Sequence, residues 1–240
     1  MRIAMWSGPR NLSTAMMYSF AARRDTAVMD EPFYAAYLAK TGLNHPMRNE
    51  ILAAQPTDPA QVVAQITGPF QAQHSYQKHM SQHMVSNIPR DWMRDFVNVF
   101  LIRHPARVIA SYAAKRESPE LADIGFIQQA ELFDELRAAG QAPIVIDSHD
   151  IRDNPEGMLR ALCTAIGLNW DPAMLSWPKG GIPEDGAWAP HWYGAVWKST
   201  GFAGAEGPLP VVPDALRDVE KLATLPYEHL REFKLFPKLG

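Results

Sequence analysis

The chain has 240 residues, 47% of them apolar and 20% charged, with a formal charge of −3 and a pI near 6.2. That length supports one sizeable core, and the charge balance favours no general nucleic-acid or membrane surface, so positive charge should matter locally. One cysteine excludes an internal disulfide and fits a reducing, cytoplasmic setting.

Residues 2–6 are short and apolar and are ended at once by Ser7-Gly8-Pro9, which predicts a buried strand. Asn11, Ser13 and Thr14 precede residues 15–20, which suit a helix. Strand, tight loop and helix aim backbone N–H groups and the positive end of the helix at one point, which favours an anion. Arg10 adds a fixed charge there, and Ser13 and Thr14 add hydroxyl donors. The stretch reads as a phosphate- or sulfate-binding loop, or else as an ordinary strand–helix connection. It is not a Walker A loop: counted from Gly8, that motif needs Gly, Lys and Ser/Thr where the chain has Ser13, Thr14 and Ala15.

Residues 26–29 predict a second strand, ending in Asp30-Glu31-Pro32, and residues 33–40 a short helix closed by Gly42. Residues 43–57 are polar and irregular. Asp58-Pro59 is a good helix start, and Gly68-Pro69 stops that helix. Residues 74–80 form a weaker third strand. Ser81 suits the cap of a short turn, and Pro89 opens a charged amphipathic piece. Residues 97–102 are the clearest strand, nearly continuous in apolar residues as a central parallel strand should be. A helix is expected from Pro105 to about Lys115, then a longer one over residues 119–139, ended by Gly140.

Residues 143–146 predict another buried strand, followed by Asp147-Ser148-His149-Asp150. Asn154-Pro155 starts a helix that carries Cys163, whose apolar setting fits a buried structural thiol, and Gly167 closes it. Strands alternating with helices predict a three-layer α/β fold around a central parallel sheet, P-loop-like, with ligands at the carboxyl ends of the strands. The loops at residues 7–14, 30–32, 103–105 and 147–150 would then share one edge. After about residue 171 tryptophans cluster at 170, 177, 188, 192 and 197 among Gly and Pro, and two closing helices are expected over residues 213–223 and 226–233. This part reads as a cap or closing segment of one domain spanning residues 1–240. Its tryptophans either line an apolar acceptor pocket or fill a core against the sheet.

A second anion-competent strand end lies in Arg103-His104-Pro105, with Ser111 eight residues after Arg103 in the next helix. An arginine fork suits a phosphate, although Arg103 could instead pair with Asp147 or Asp150. Together the two strand ends resemble the PAPS-dependent sulfotransferase family. The stretch WSGPRNLST is similar to that family's 5′-phosphosulfate loop, and RHPARVIAS matches its Arg-x-Pro-x-x-x-x-x-Ser 3′-phosphate motif at Arg103, Pro105 and Ser111. The resemblance covers roughly the first 165 residues.

The resemblance implies PAPS as donor and adenosine 3′,5′-bisphosphate as product. Arg10 would contact the phosphosulfate and stabilise the leaving oxygen, while Asn11, Ser13 and Thr14 would cradle it. Arg103 and Ser111 would hold the 3′-phosphate, helped by a degenerate late basic loop at Lys198-Ser199-Thr200-Gly201. The sequence departs from the family in having Arg10 where many members have Lys, and in lacking the Gly-Thr-Thr of the first loop.

Sulfuryl transfer moves SO3 from a phosphate to a hydroxyl or amine of a small-molecule acceptor by in-line displacement, with no metal required. The transition state should be loose by analogy with phosphoryl transfer, so positioning and charge stabilisation dominate. Two candidate bases compete. The family often carries Lys-x-His after its third strand, imperfectly matched by Lys78 with His79 and His83, and some bacterial members use a glutamate where Glu31 stands. On a strand Lys78 and His79 cannot both face one side without a bulge. Glu31 could equally cap the next helix, and the histidines could be solvated. The competing functions are a P-loop-type small-molecule or nucleotide kinase, which would need Mg²⁺, and a non-catalytic nucleotide-binding protein. No nucleic-acid or membrane partner is expected, and the sequence leaves the oligomeric state open.

Overall fold

A computed structural model describes residues 1–114 and 119–237. Five strands form one sheet in the order β2-β3-β1-β4-β5: β1 Arg2–Ser7, β2 Thr26–Asp30, β3 His74–Met80, β4 Val97–Ile102 and β5 Ile144–Asp147. All the neighbours pair in parallel, as the alternation of strands and helices predicts. After β1 the chain runs to one side of it, and after β3 it crosses to the other. A crevice is therefore expected at the carboxyl end of β1.

Alternation along the strands divides the core. Ile3 and Met5 of β1, with Tyr76, Val99 and Leu101, pack beneath α1 (Ser13–Ala21) and α9 (Pro155–Ile166). Trp6, Phe100, Ile102 and Val145 face α5 (Pro105–Ala113), α7 (Phe126–Ala138) and α11 (Arg217–Arg231). Cys163 lies in the first layer, 1% exposed against Met174, and burial raises its thiol pKa. One side chain couples the two central strands: Gln129 of α7 donates its amide to the carbonyls of Trp6 and Leu101, at 3.1 and 2.9 Å.

Several expectations need correction. Residues 43–57 include a helix, α3 (Arg48–Ala54), anchored by the buried Ile51. The helix expected over 119–139 is two, α6 (Leu121–Ile124) and α7, broken at Gly125 with φ +69. A side chain there would also meet Gln82 Oε1 at 2.9 Å. Asp147 does not begin an irregular loop. It caps a short helix, α8 (Ser148–Asp153), by accepting from the His149 N–H at 2.9 Å. The two closing helices are the single α11, which keeps Pro226 inside because Ala223, Tyr227 and Leu230 bury one continuous face. The helix from Pro105 ends at Ala113, and Lys115 lies outside the described residues. The other named helices are α2 (Tyr34–Thr41), α4 (Pro59–Thr67) and α10 (Ala189–Trp192). Among the described residues no helix is long and apolar enough to cross a membrane.

Candidate active site

A cleft of ≈ 360 Å³ opens at the carboxyl edge of β1 and β3. Its first wall is the loop between β1 and α1. Gly8 passes so close to Ile124 that a Cβ would lie 2.4 Å from that carbonyl oxygen. Arg10 and Leu12 hold φ near +57 and +59, and Glu31, across the cleft, holds +36. Three of the five non-glycine residues with positive φ among those described thus sit at this cleft, where surrounding structure has to enforce such strain. Helix α1 starts with no side-chain cap and no acidic residue in its first turn, so its leading N–H groups suit an anion. Ser13 and Thr14 line the cleft there.

Arg10 donates from Nε to Ser111 Oγ at 2.9 Å. Burial first, and the charge of Arg103 second, pull its pKa below the ordinary arginine value. Both effects penalise the cation, and an anion would relieve both. Arg103 donates to the Arg10 carbonyl and to Glu206, and its buried Nε makes no hydrogen bond. The partners considered from sequence are engaged elsewhere: Asp147 caps α8, and Asp150 pairs with Lys234 at 2.7 Å. Asn11 turns its amide to the Leu101 carbonyl at 2.5 Å. It pins the loop to β4 rather than offering that donor to a ligand.

The opposite wall is a buried ionic cluster. Lys78, 1% exposed, donates to Glu31 Oε1 at 2.6 Å, Asp30 Oδ1 at 2.9 Å and the Tyr193 hydroxyl at 2.5 Å. The Tyr193 hydroxyl also bonds Asp30 Oδ2 at 2.7 Å and accepts from Trp188 Nε1 at 2.9 Å. Burial works against the Lys78 charge, but the two carboxylates outweigh it and hold the pKa above its ordinary value. Burial is also the main influence on Glu31 and raises its pKa; Lys78 offsets this in part, and the charge of Asp30 adds to it. Two carboxylates share one cation, so Lys78 compensates the buried Glu31 charge only in part. Its side chain does not cap α2, which has no side-chain cap at all.

The structure separates the histidines. Trp6 and His79 are register partners, so His79 faces the layer opposite to Lys78, stacked on Trp6 at 4.7 Å. It does not line the cleft, and burial alone pushes its pKa down to about 3. The expectation of His79 as a base is corrected on that ground: strand alternation sends its ring into the core. His83 does line the cleft, stacked on Tyr34 and Tyr37 with Nε2 4.0 Å from Glu31 Oε2. Burial, then the positive charges around it, press its pKa well below the ordinary value. Lys198 is exposed and is not among the cleft-lining residues, which corrects its placement at the anion site.

The tryptophans divide between the two expectations. Trp177 and Trp188 are core residues, and Trp192 lines the cleft beside Tyr34, Tyr112 and Tyr193. Tyr193, Arg107, Arg152 and Glu206 were not singled out from sequence. Arg107 carries a readable signal, lying one helical turn after Arg103, whereas Glu206 sits in an irregular segment that offers none.

A parallel sheet with an uncapped helix start, converging arginines and a buried carboxylate on one cleft defines an α/β protein built to handle an anionic group. A sulfotransferase-domain family model matches residues 1–232, and the chain belongs to that family. Two solved structures are similar in fold. One is the sulfotransferase domain from the curacin biosynthetic pathway, with TM-score 0.54, 17% identity and coverage of 92% of this chain and 96% of that one. The other is a sulfotransferase from Alicyclobacillus acidocaldarius, with TM-score 0.55, 10% identity and coverage of 97% and 96%. The branched-chain-amino-acid aminotransferase-like proteins 1 and 2 of Arabidopsis thaliana are each 38% identical over 202 residues, 84% of this chain. The chain spans only 36% of the length of those relatives.

Proposed function

We propose that the protein transfers a sulfuryl group from 3′-phosphoadenosine 5′-phosphosulfate to a hydroxyl or amine of a small-molecule acceptor. The observation that carries this reading is the pairing, on one cleft, of a cationic uncapped helix start with a buried carboxylate whose pKa is raised. Arg10 and the first N–H groups of α1 bind the 5′ end and stabilise charge on the leaving phosphate oxygen. One such preorganised donor is worth about 3–4 kcal/mol. Glu31 accepts the acceptor's proton as the acceptor oxygen or nitrogen bonds to sulfur and the S–O bond electrons stay with the phosphate.

Glu31 is favoured over His83 because its raised pKa approaches a working pH, whereas His83 is pressed away from one. Tyr34, Tyr112 and Trp192 supply an aromatic wall suited to an apolar acceptor. The setting proposed is cytoplasmic, supported by a single cysteine that is buried. Titration with adenosine 3′,5′-bisphosphate, with AMP and ATP as controls, tests the donor. Selective bisphosphate binding that is lost in Arg103→Ala is expected, and equal binding of AMP would remove the reading.

A further inference from the structure

The side chain of Glu206 is 2% exposed, although it comes from an irregular surface stretch whose neighbours Ala205 and Gly207 are exposed. Three arginines surround its carboxylate. Arg103 donates to Oε1, Arg152 Nη1 lies 2.9 Å from Oε1, and Arg107 Nε lies 3.0 Å from Oε2. They reach this point from three places in the fold: the end of β4, the first turns of α5, and α8 after β5. Burial opposes the Glu206 charge, but the arginines outweigh it and hold its carboxyl below the ordinary range.

Three guanidinium charges against one carboxylate leave two positive charges unmatched within the group. Arg103 Nε remains a buried donor without a hydrogen bond. Both features fit a larger anion with more oxygens than a carboxylate offers.

The segment around Glu206 is attached chiefly through the same arginines. Among the described residues, 203–210 find no backbone–backbone hydrogen-bond partner. Their polar ties are Arg152 Nε to the Gly204 carbonyl at 2.9 Å, Arg107 to the Gly207 carbonyl, and the Glu206 carboxylate itself. The ion pair also lies on a boundary. Arg103 lines the cleft, whereas Arg107 and Glu206 line a second cavity of ≈ 460 Å³.

We propose that Arg103, Arg107 and Arg152 form a phosphate-binding site in which Glu206 holds the place of the anion, and that a phosphate monoester dianion enters by displacing Glu206 and releasing residues 203–208. Only the identity of that phosphate, the 3′-phosphate of the donor, rests on the function proposed above. Arg107 and Arg152 become donor-binding residues, and Glu206 sets the affinity by competing for the same three side chains.

Wild type, Glu206→Gln and Arg152→Ala are titrated with adenosine 3′,5′-bisphosphate, AMP and inorganic pyrophosphate. Cleavage of the wild type after Glu206 by a glutamate-specific protease is followed with and without saturating bisphosphate. Glu206→Gln should tighten bisphosphate and pyrophosphate about 5- to 150-fold, the usual span for relief of a competing conformation, and leave AMP unchanged. Arg152→Ala should weaken bisphosphate about ten- to hundredfold. Cleavage after Glu206 should speed up when bisphosphate binds the wild type, because release frees a side chain that the three arginines hold buried.

Bisphosphate bound no more tightly by Glu206→Gln than by wild type overturns the proposal. So does slower or unchanged cleavage of bisphosphate-saturated wild type, a measurement that does not depend on the variant folding. A wild type that binds AMP as well as bisphosphate overturns the donor reading instead. The pyrophosphate comparison then decides the arginine site: tighter binding by Glu206→Gln sustains it, and equal binding ends it.

Discussion

Replacing Glu31 by Gln removes one negative charge from a buried cluster and leaves its shape nearly intact. In the wild type Lys78 faces two carboxylates, Asp30 at 2.9 Å and Glu31 at 2.6 Å. In the variant Lys78 and Asp30 remain as a balanced pair. The folded-state pKa of Glu31 is raised above its ordinary 4.5, chiefly by burial. Its contribution to stability is therefore complete below 4.5 and is lost as pH rises through the folded value. Above its raised folded-state pKa the wild type carries a buried charge that the variant lacks, so the melting temperature of Glu31→Gln should gain on that of the wild type as pH rises, with the gap closing toward pH about 4.5.

Donor turnover should move the other way. Loss of a positioned base lowers it about 100- to 10,000-fold, or about 2.7–5.5 kcal/mol of barrier. Release of adenosine 3′,5′-bisphosphate across a pH series reads the rate, and scanning calorimetry reads the stability. The wild-type profile should show an acid limb displaced above the ordinary glutamate range, and the variant should show none. Turnover within about threefold of wild type, or a melting-temperature gap that shrinks as pH rises, would refute the assignment of Glu31 as a strained, desolvated base.

Three further outcomes follow from the geometry. His79→Leu should leave turnover unchanged and reduce the loss of stability on acidification, because a histidine whose folded pKa is about 3 against an ordinary 6.5 destabilises the fold as pH falls through that interval; melting curves at several pH values check this. Gly8→Ala should lower stability by about 1–3 kcal/mol in urea denaturation and weaken bisphosphate binding, since its Cβ would lie 2.4 Å from the Ile124 oxygen and the loop would have to shift. Tyr193→Phe leaves Trp188 Nε1 without its hydroxyl partner and strips a donor from Asp30, so a loss of about 1–3 kcal/mol in the same denaturation assay is expected.

The sheet is legible because its strands carry short apolar runs ended by Gly, Pro or charge, and residues 97–102 do so with little interruption. The loop between β1 and α1 is legible for the same local reason: Gly8, Arg10 and Ser13 lie within six residues of one another. Helix boundaries are less so. Pro226 marks a break by its own chemistry, yet α11 runs through it because the buried face at Ala223, Tyr227 and Leu230 outweighs one missing hydrogen bond. At the candidate base, period-2 alternation states that Lys78 and His79 face opposite ways but not which faces the cleft. The helices above each layer decide that, and their placement is tertiary. Tyr193 meets Lys78 and Glu206 meets Arg103 across sequence separations of 115 and 103 residues, distances at which no motif spacing operates.

The Gln129 amide, which serves the ends of β1 and β4 together, has a mechanical consequence. Helix α7 contributes none of the cleft's lining residues, yet it ties together the two strand ends from which Arg10 and Arg103 depart. The gap between the two anion-facing loops is gauged from the back of the sheet, by a part that stays dry. A tilt of α7 would act as a lever on that gap, so packing changes around Leu132 and Phe133 should retune the site without altering any group that faces it.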